Sequence, residues 1–180
     1  MRKLIEYTLV TLDGVFEDPQ AWGFADYRDD AYLRDGLGVL SSCDAMLMGR
    51  RTYETNAQIW PRRAGAHPWA DRLNEITKYV FSTTLDRADW NNTTIVRDDP
   101  VPAVAMLKNQ VGRDLFVWGH GVFVEALFRH NLVDVLDVSI HPVIAGEGGS
   151  WSRPGQTAAM KLASTKTFAG GIVKLTYERA

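Results

Sequence analysis

The stretch Asp44-Ala45-Met46-Leu47-Met48-Gly49-Arg50-Arg51-Thr52-Tyr53-Glu54 joins an apolar, strand-like run to a glycine and two arginines at the start of a helical pattern. A strand ending at Met48 delivers Gly49 to a turn where the missing Cβ lets a ligand approach the main chain. The free N–H groups of Arg50, Arg51 and Thr52 then converge on one spot. Two guanidinium forks and a hydroxyl add charge and donors to the helix dipole, so the natural guest is a phosphate. Neither the lysine of a P-loop nor the three glycines of a dinucleotide fingerprint is present, and a solvated arginine pair at an ordinary turn stays open as the plain alternative.

A second junction of the same kind follows Asp114-Leu115-Phe116-Val117-Trp118, where Gly119-His120-Gly121 opens a helix over Val122–His130. A diphosphate held between the starts of two neighbouring helices fits both junctions, the paired glycines Gly119 and Gly121 letting it lie against the main chain at the second. Ser82-Thr83-Thr84, after the strand Lys78–Phe81, places three hydroxyls where a further ligand group could sit. For proton transfer the candidates are Asp13, Asp29 and Asp30, which the first loop and the first helix start bring near the end of the first strand. Asp30 and Asp13 are taken as the acids, with helix capping as the competing role for Asp29 and Asp30. His120 reads as a loop residue beside the ligand or facing solvent, since no partner for it is identifiable in the sequence.

The elements that must position these groups read as follows. Lys3–Val10 is a central strand, and Thr11-Leu12-Asp13-Gly14 turns the chain into an irregular segment, residues 15–27, long enough to be a lid. A helix spans Tyr27–Ser42 and another Arg50–Gln58; Ala70–Ile76 is a short third. After the strand Thr93–Val96, a helix begins at Asp98 or Asp99, with Pro102 in its first turn, and runs to Val111, with Gly112 as a left-handed cap and Val104, Leu107 and Val111 on its buried face. Val133–His141 alternates cleanly, which predicts an antiparallel or edge strand. Met160–Phe168 and Gly170–Tyr177 form a closing hairpin. Alternating strands and helices followed by antiparallel strands predict a three-layer α/β/α domain with a mixed, mainly parallel central sheet.

The chain has 180 residues, 46% hydrophobic and 23% charged, which is most simply one domain over residues 1–180 with a single core. A net charge of −2 gives no general pull on nucleic acid or anionic lipid, so any phosphate site must be local. One cysteine, Cys43, excludes an intrachain disulfide, and four scattered histidines offer no metal-ligand spacing, so no metal is expected. No run approaches membrane-spanning length and Glu6 interrupts the first apolar stretch, so the expected compartment is the cytoplasm.

In motif order the chain resembles the dihydrofolate reductase superfamily, in particular the branch that includes the reductase domain of riboflavin biosynthesis. The resemblance spans nearly the whole chain. It rests on Thr11-Leu12-Asp13-Gly14, Leu47-Met48-Gly49-Arg50-Arg51-Thr52-Tyr53-Glu54, Phe81-Ser82-Thr83-Thr84, Trp118-Gly119-His120-Gly121 and His141-Pro142-Val143-Ile144-Ala145-Gly146-Glu147-Gly148. It implies that Gly49, Arg50, Arg51, Thr52, Ser82 and Thr83 hold the adenosine 2′-phosphate end of NADPH while Gly119, Gly121, Val122 and Phe123 approach the diphosphate. The activity implied is hydride transfer to a C=N or C=O of a small, pteridine- or pyrimidine-like compound. A homodimer is also implied, since Ile172, Val173, Leu175 and Tyr177 give the closing strands apolar side chains on both faces. Two departures stand out: the lid carries Glu17-Asp18-Pro19-Gln20-Ala21-Trp22 where dihydrofolate reductases have Pro-Trp, and His120 replaces the middle glycine of the family's glycine run. The alternative function is a nucleotide-binding protein of the same fold without efficient turnover. A zinc deaminase is excluded, since the chain has neither H-x-E nor P-C-x-x-C.

Overall fold

The structure is a computed structural model that describes residues 1–151 and 157–180. The first strand, β1 (Leu4–Thr11), is buried along its whole length, as an Ile-, Leu-, Val- and Tyr-rich segment covered on both faces must be. Helix α1 (Asp30–Ser42) leads to β2 (Cys43–Gly49), α2 (Arg50–Ile59), α3 (Pro68–Glu75), β3 (Thr77–Phe81), β4 (Thr93–Val96) and α4 (Pro100–Asn109). Next come β5 (Asp114–Trp118), α5 (Val122–Arg129), β6 (Val135–His141), β7 (Met160–Thr167) and β8 (Val173–Arg179). One eight-stranded sheet results, in the order β4-β3-β2-β5-β1-β6-β8-β7. The six strands from β4 to β6 run parallel, and β8 and β7 add two antiparallel pairings. This is the mixed three-layer dihydrofolate reductase-like sheet.

Alternation along β1 divides the core. Ile5, Tyr7 and Leu9 pack with Tyr32, Tyr53, Trp69 and Leu73 of α1, α2 and α3, while Leu4 packs with Val104, Leu107, Val124 and Leu127 of α4 and α5. A third cluster, Val10, Leu136 and Val138 with Leu175 and Tyr177, lies on the α4–α5 side of β1, β6 and β8, and no described helix contributes to it.

Three features differ from expectation. Residues 24–27 form a single 3₁₀ turn and Arg28 is extended, so α1 starts only at Asp30, with Asp29 as its cap accepting from the Tyr32 N–H at 2.7 Å. Helix α4 stops at Asn109, Gln110 is extended, and Val111 is fully exposed rather than buried. Gly112 is not a left-handed cap: it leaves room for the Arg2–Asp44 ion pair, since a Cβ there would lie 2.6 Å from Asp44 Oδ2.

The third difference is β6. It is neither an edge nor purely antiparallel, for it sits between β1, to which it runs parallel, and β8, to which it runs antiparallel. Its polar alternate residues, Asp137, Ser139 and His141, are buried. Alternation here marks an internal polar face, which Lys174 of β8 neutralises by pairing with Asp137 at 2.8 Å.

Candidate cofactor and substrate cleft

Parallel strands β2 and β5 lie side by side, so the helices that follow them begin side by side too. Neither α2 nor α5 has a side-chain capping bond at its start, which leaves the first N–H groups of both helices to an external acceptor. The two starts touch: a Cβ on Gly49 would meet Phe123 Cβ at 3.5 Å, and Phe123 stacks on Phe81 of β3 with ring centroids 4.8 Å apart. Gly119 and Gly121 adopt φ of +82° and +133°, conformations strained for L side chains, and the space beside each is open to at least 4 Å. A ligand can therefore lie against this main chain.

Around that floor the sequence-predicted residues take different parts. Arg50 is held by Glu54 at 2.7 Å and reaches Thr84 Oγ1 at 2.7 Å, tying α2 to the loop after β3. Arg51 is exposed and makes no hydrogen bond or ion pair among the described residues, so it is free to meet an anion. Thr52 is half-buried in the first turn of α2. Ser82 is already engaged, its Oγ accepting from the N–H groups of Thr84 and Leu85 at 3.2 and 2.9 Å, whereas Thr83 is exposed. Arg97, which the sequence reading passed over, donates to the carbonyls of Thr83 and Leu85 at 3.3 and 3.0 Å and braces the same loop from the far side.

The acids separate by role. Asp13 accepts from the Thr11 hydroxyl at 2.5 Å and from the Ala145 and Gly146 N–H groups at 3.1 and 2.8 Å. Those bonds, the Thr11 hydroxyl first, lower its pKa to about 2, so it is ionised near neutrality and acts as a clasp between β1 and the glycine-rich loop. Asp29 caps α1 and also accepts from Ala169 N–H at 2.7 Å. Asp30 stands exposed in the first helical turn. None of the three is hydrogen-bonded to Glu6, Asp137, Ser139, His141 or Lys174 among the described residues.

Those buried groups form two sets. On the α1 side, Tyr7 and Tyr32 hydroxyls lie 3.2 Å apart over Asp137, Ser139, His141 and Lys174, and Lys174 also pairs with Asp35. Trp22, Tyr27 and Tyr32 turn ring edges to His141 at centroid distances of 5.0, 6.4 and 6.0 Å. Burial drives the Tyr7 hydroxyl well above its usual pKa and lowers His141 to about 4, so both are neutral near neutrality. Arg28 Nε and Asp137 Oδ1 are buried without a hydrogen-bond partner among the described residues.

On the α5 side, Glu6 Oε1 meets His120 Nδ1 at 2.7 Å, with side chains 0% and 4% exposed. His120 is thus no solvent-facing loop residue: its partner lies 114 positions away. The signal in the sequence was Glu6 itself, an acid amid an otherwise buried strand.

Over residues 2–174 the chain matches the family described as the RibD C-terminal domain. The chain belongs to that family. Protein YyaP of Bacillus subtilis (strain 168) is 29% identical over 183 residues, covering 98% of this chain and 94% of that protein. Among solved structures, a putative riboflavin biosynthesis protein from Shewanella sp. PV-4 superposes with a TM-score of 0.73 at 16% identity, over 100% of this chain and 99% of that one. A diaminohydroxyphosphoribosylaminopyrimidine deaminase/5-amino-6-(5-phosphoribosylamino)uracil reductase from Thermotoga maritima gives 0.67 at 14% identity, over 99% of this chain and 57% of its own. At these identities the RibD-like structures establish the fold.

Proposed function

We propose that this RibD C-terminal domain protein is an NADPH-dependent reductase that delivers hydride to a C=N or C=O of a small, pteridine- or pyrimidine-like heterocycle. Family membership supports a reductase of the riboflavin-biosynthesis type. The observation that carries the cofactor reading is the meeting of two uncapped helix starts at Gly49 and Phe123, flanked by Arg50, Arg51 and the Ser82–Thr84 loop. Main-chain donors, helix dipoles and guanidinium charge are there arranged for a dinucleotide with an extra phosphate. When bound, NADPH supplies the hydride. Arg51 and the α2 N–H groups hold the 2′-phosphate, and the Gly119–Phe123 turn lies along the diphosphate. The Tyr7, Tyr32 and Asp137 set on the α1 side, roofed by Trp22 and Tyr27, takes the polar edge of the substrate. The protein acts in the cytoplasm as a homodimer. Among the described residues no helix is long and apolar enough to cross a membrane.

Calorimetric titration tests this reading. The wild type binds NADPH more tightly than NADH. Because a charge-assisted bond contributes about 1.5–3 kcal/mol, Arg51→Ala weakens NADPH roughly 10- to 150-fold and barely changes NADH. The preference shrinks with rising salt, since the site is at the surface. Equal affinity for the two cofactors, or binding of neither, overturns the proposal.

A further inference from the structure

The turn after β3, Ser82–Leu85, has most of its polar groups already engaged. Ser82 N–H donates to the Val96 carbonyl at 3.0 Å, and Ser82 Oγ accepts from the N–H groups of Thr84 and Leu85. Two guanidinium groups take the carbonyls of Thr83, Thr84 and Leu85. Arg97, which follows β4, donates to the Thr83 and Leu85 carbonyls at 3.3 and 3.0 Å. Arg50, the first residue of α2, donates to the Thr84 carbonyl at 3.4 Å and to its hydroxyl at 2.7 Å. Thr83 itself is exposed, and its N–H and hydroxyl make no hydrogen bond among the described residues.

This pattern selects what the turn presents. Carbonyl oxygens facing the α2 start would repel a phosphate, but here consecutive carbonyls are held by guanidinium groups, and the unspent donors are those of Thr83. The two arginines differ in what else holds them. Arg50 has Glu54 on its own helix at 2.7 Å, whereas Arg97 makes no ion pair among the described residues and spends both of its bonds on the turn. A planar fork that bridges two carbonyls limits rotation about Thr83, from which the free N–H and hydroxyl project. The Arg50–Thr84 bonds set the same turn against the first residue of α2, so Thr83 stands near the helix start that also carries Arg51.

We propose that Arg97 is a positioning residue for the 2′-phosphate of a bound dinucleotide: by holding the Thr83 and Leu85 carbonyls it aims the Thr83 N–H and hydroxyl at that phosphate, alongside Arg51. This rests on the dinucleotide reading above. It gives Arg97 no contact with the ligand; the arginine acts through Thr83.

The test titrates NADPH and NADH, which differ only in the 2′-phosphate, against the wild type, Arg97→Ala, Thr83→Val and the double variant. Both side chains are exposed, so neither substitution opens a cavity in the core. Arg97→Ala weakens NADPH roughly tenfold and Thr83→Val roughly fivefold, while NADH changes by less than about twofold throughout. The double variant loses no more than about twofold beyond Arg97→Ala, because the hydroxyl it removes has already lost its aim. A double variant weakened by the product, roughly fiftyfold, makes Arg97 an independent source of attraction, through its charge or a contact of its own, and overturns the assignment. An unchanged affinity in Arg97→Ala overturns it too, as does an equal loss for NADPH and NADH, which marks a brace that serves the fold alone. In each of those cases the wild type still prefers NADPH and the cofactor reading stands. A wild type without that preference brings down both.

Discussion

Lys78 is fully buried in β3, and its ammonium donates to the carbonyls of Asn74, Ile76 and Asn91 at 3.3, 2.8 and 3.1 Å while lying 4.5 Å from the Trp90 ring centre. One cation thus closes the end of α3 onto the loop before β4. Lys78→Met fills the volume but removes three hydrogen bonds and takes the ammonium from the Ile76 carbonyl, while Asn74 and Asn91 carbonyls keep side-chain donors, and it is expected to destabilise the protein by about 2–4 kcal/mol in denaturant melts. Cys43 behaves oppositely: burial raises its thiol pKa to about 11, so it is inert to thiol reagents until the chain unfolds, which mass spectrometry with and without denaturant checks. His141 governs the acid side. Burial, opposed by its bond to the Ser139 carbonyl, lowers its pKa from 6.5 to about 4, so between those values the unfolded chain binds a proton that the folded chain refuses. Stability is therefore full above about pH 6.5 and falls as pH drops toward 4, and His141→Gln flattens that slope in melts taken across the range. A slope unchanged by the substitution would exclude His141 as its source.

At the scale of elements, the decisive arrangement is the pair of helix starts, and Gly49 lets fold and site be separated. Its φ of −79° suits any residue, and an added methyl would stand 3.5 Å from Phe123 Cβ, an ordinary contact. Gly49→Ala should therefore melt within about 0.5 kcal/mol of the wild type yet bind NADPH at least tenfold more weakly, because the methyl occupies the approach to the α2 N–H groups. The lid is fastened by a different set. Val15 bridges to Ser150, Phe16 N–H donates to the Gly149 carbonyl at 3.1 Å, and Gly149 N–H donates to Glu17 at 3.1 Å. Glu17→Ala should speed amide exchange at Gly149 and Phe16 without touching β1, β2 or β5. These junctions were legible because glycine, arginine and helix-start chemistry are local. The Glu6–His120 pair, the Arg97 brace and the polar face of β6 were not: each depends on a neighbour supplied by strand order, and alternation of polar residues reads the same whether the polar face meets water or a buried lysine.

For the molecule as a whole, the asymmetry of the sheet matters most. Helices α4 and α5 cover one flank, while on the same face the β6–β8–β7 flank exposes an apolar hollow of about 300 Å³ lined in part by Val10, Leu136, Val138, Leu175 and Tyr177. Beside it β7 is an edge strand exposed along nearly its whole length, with Leu162 49% accessible. A second copy related by a twofold axis would cover such a face without leaving a further one open, and Lys161 and Lys166 on the edge disfavour endless strand addition. Light scattering should give twice the 20.2 kDa of the chain, and Tyr177→Glu should return it to that mass with the fold retained. A 20.2 kDa species at micromolar concentration for the wild type would remove the dimer.

The strand order β2-β5-β1 also sets a timetable. The sheet's middle position is filled by residues 114–118, so β1 and β2, although close in sequence, have no direct pairing to make with each other. A ribosome that has released only the first hundred residues has produced β2, β3 and β4 on one side of a gap and β1 alone on the other, and the facing edges of β1 and β2 must wait for β5 to enter from the chain's far half. Early local helices cannot shorten that wait. Folding should thus be slow and single-phased, governed by β5 insertion, with substitutions at Phe116 slowing refolding more than equally destabilising ones at Leu73 in α3. A nascent chain arrested before Asp114 should remain open to protease, whereas one extended past His141 should not.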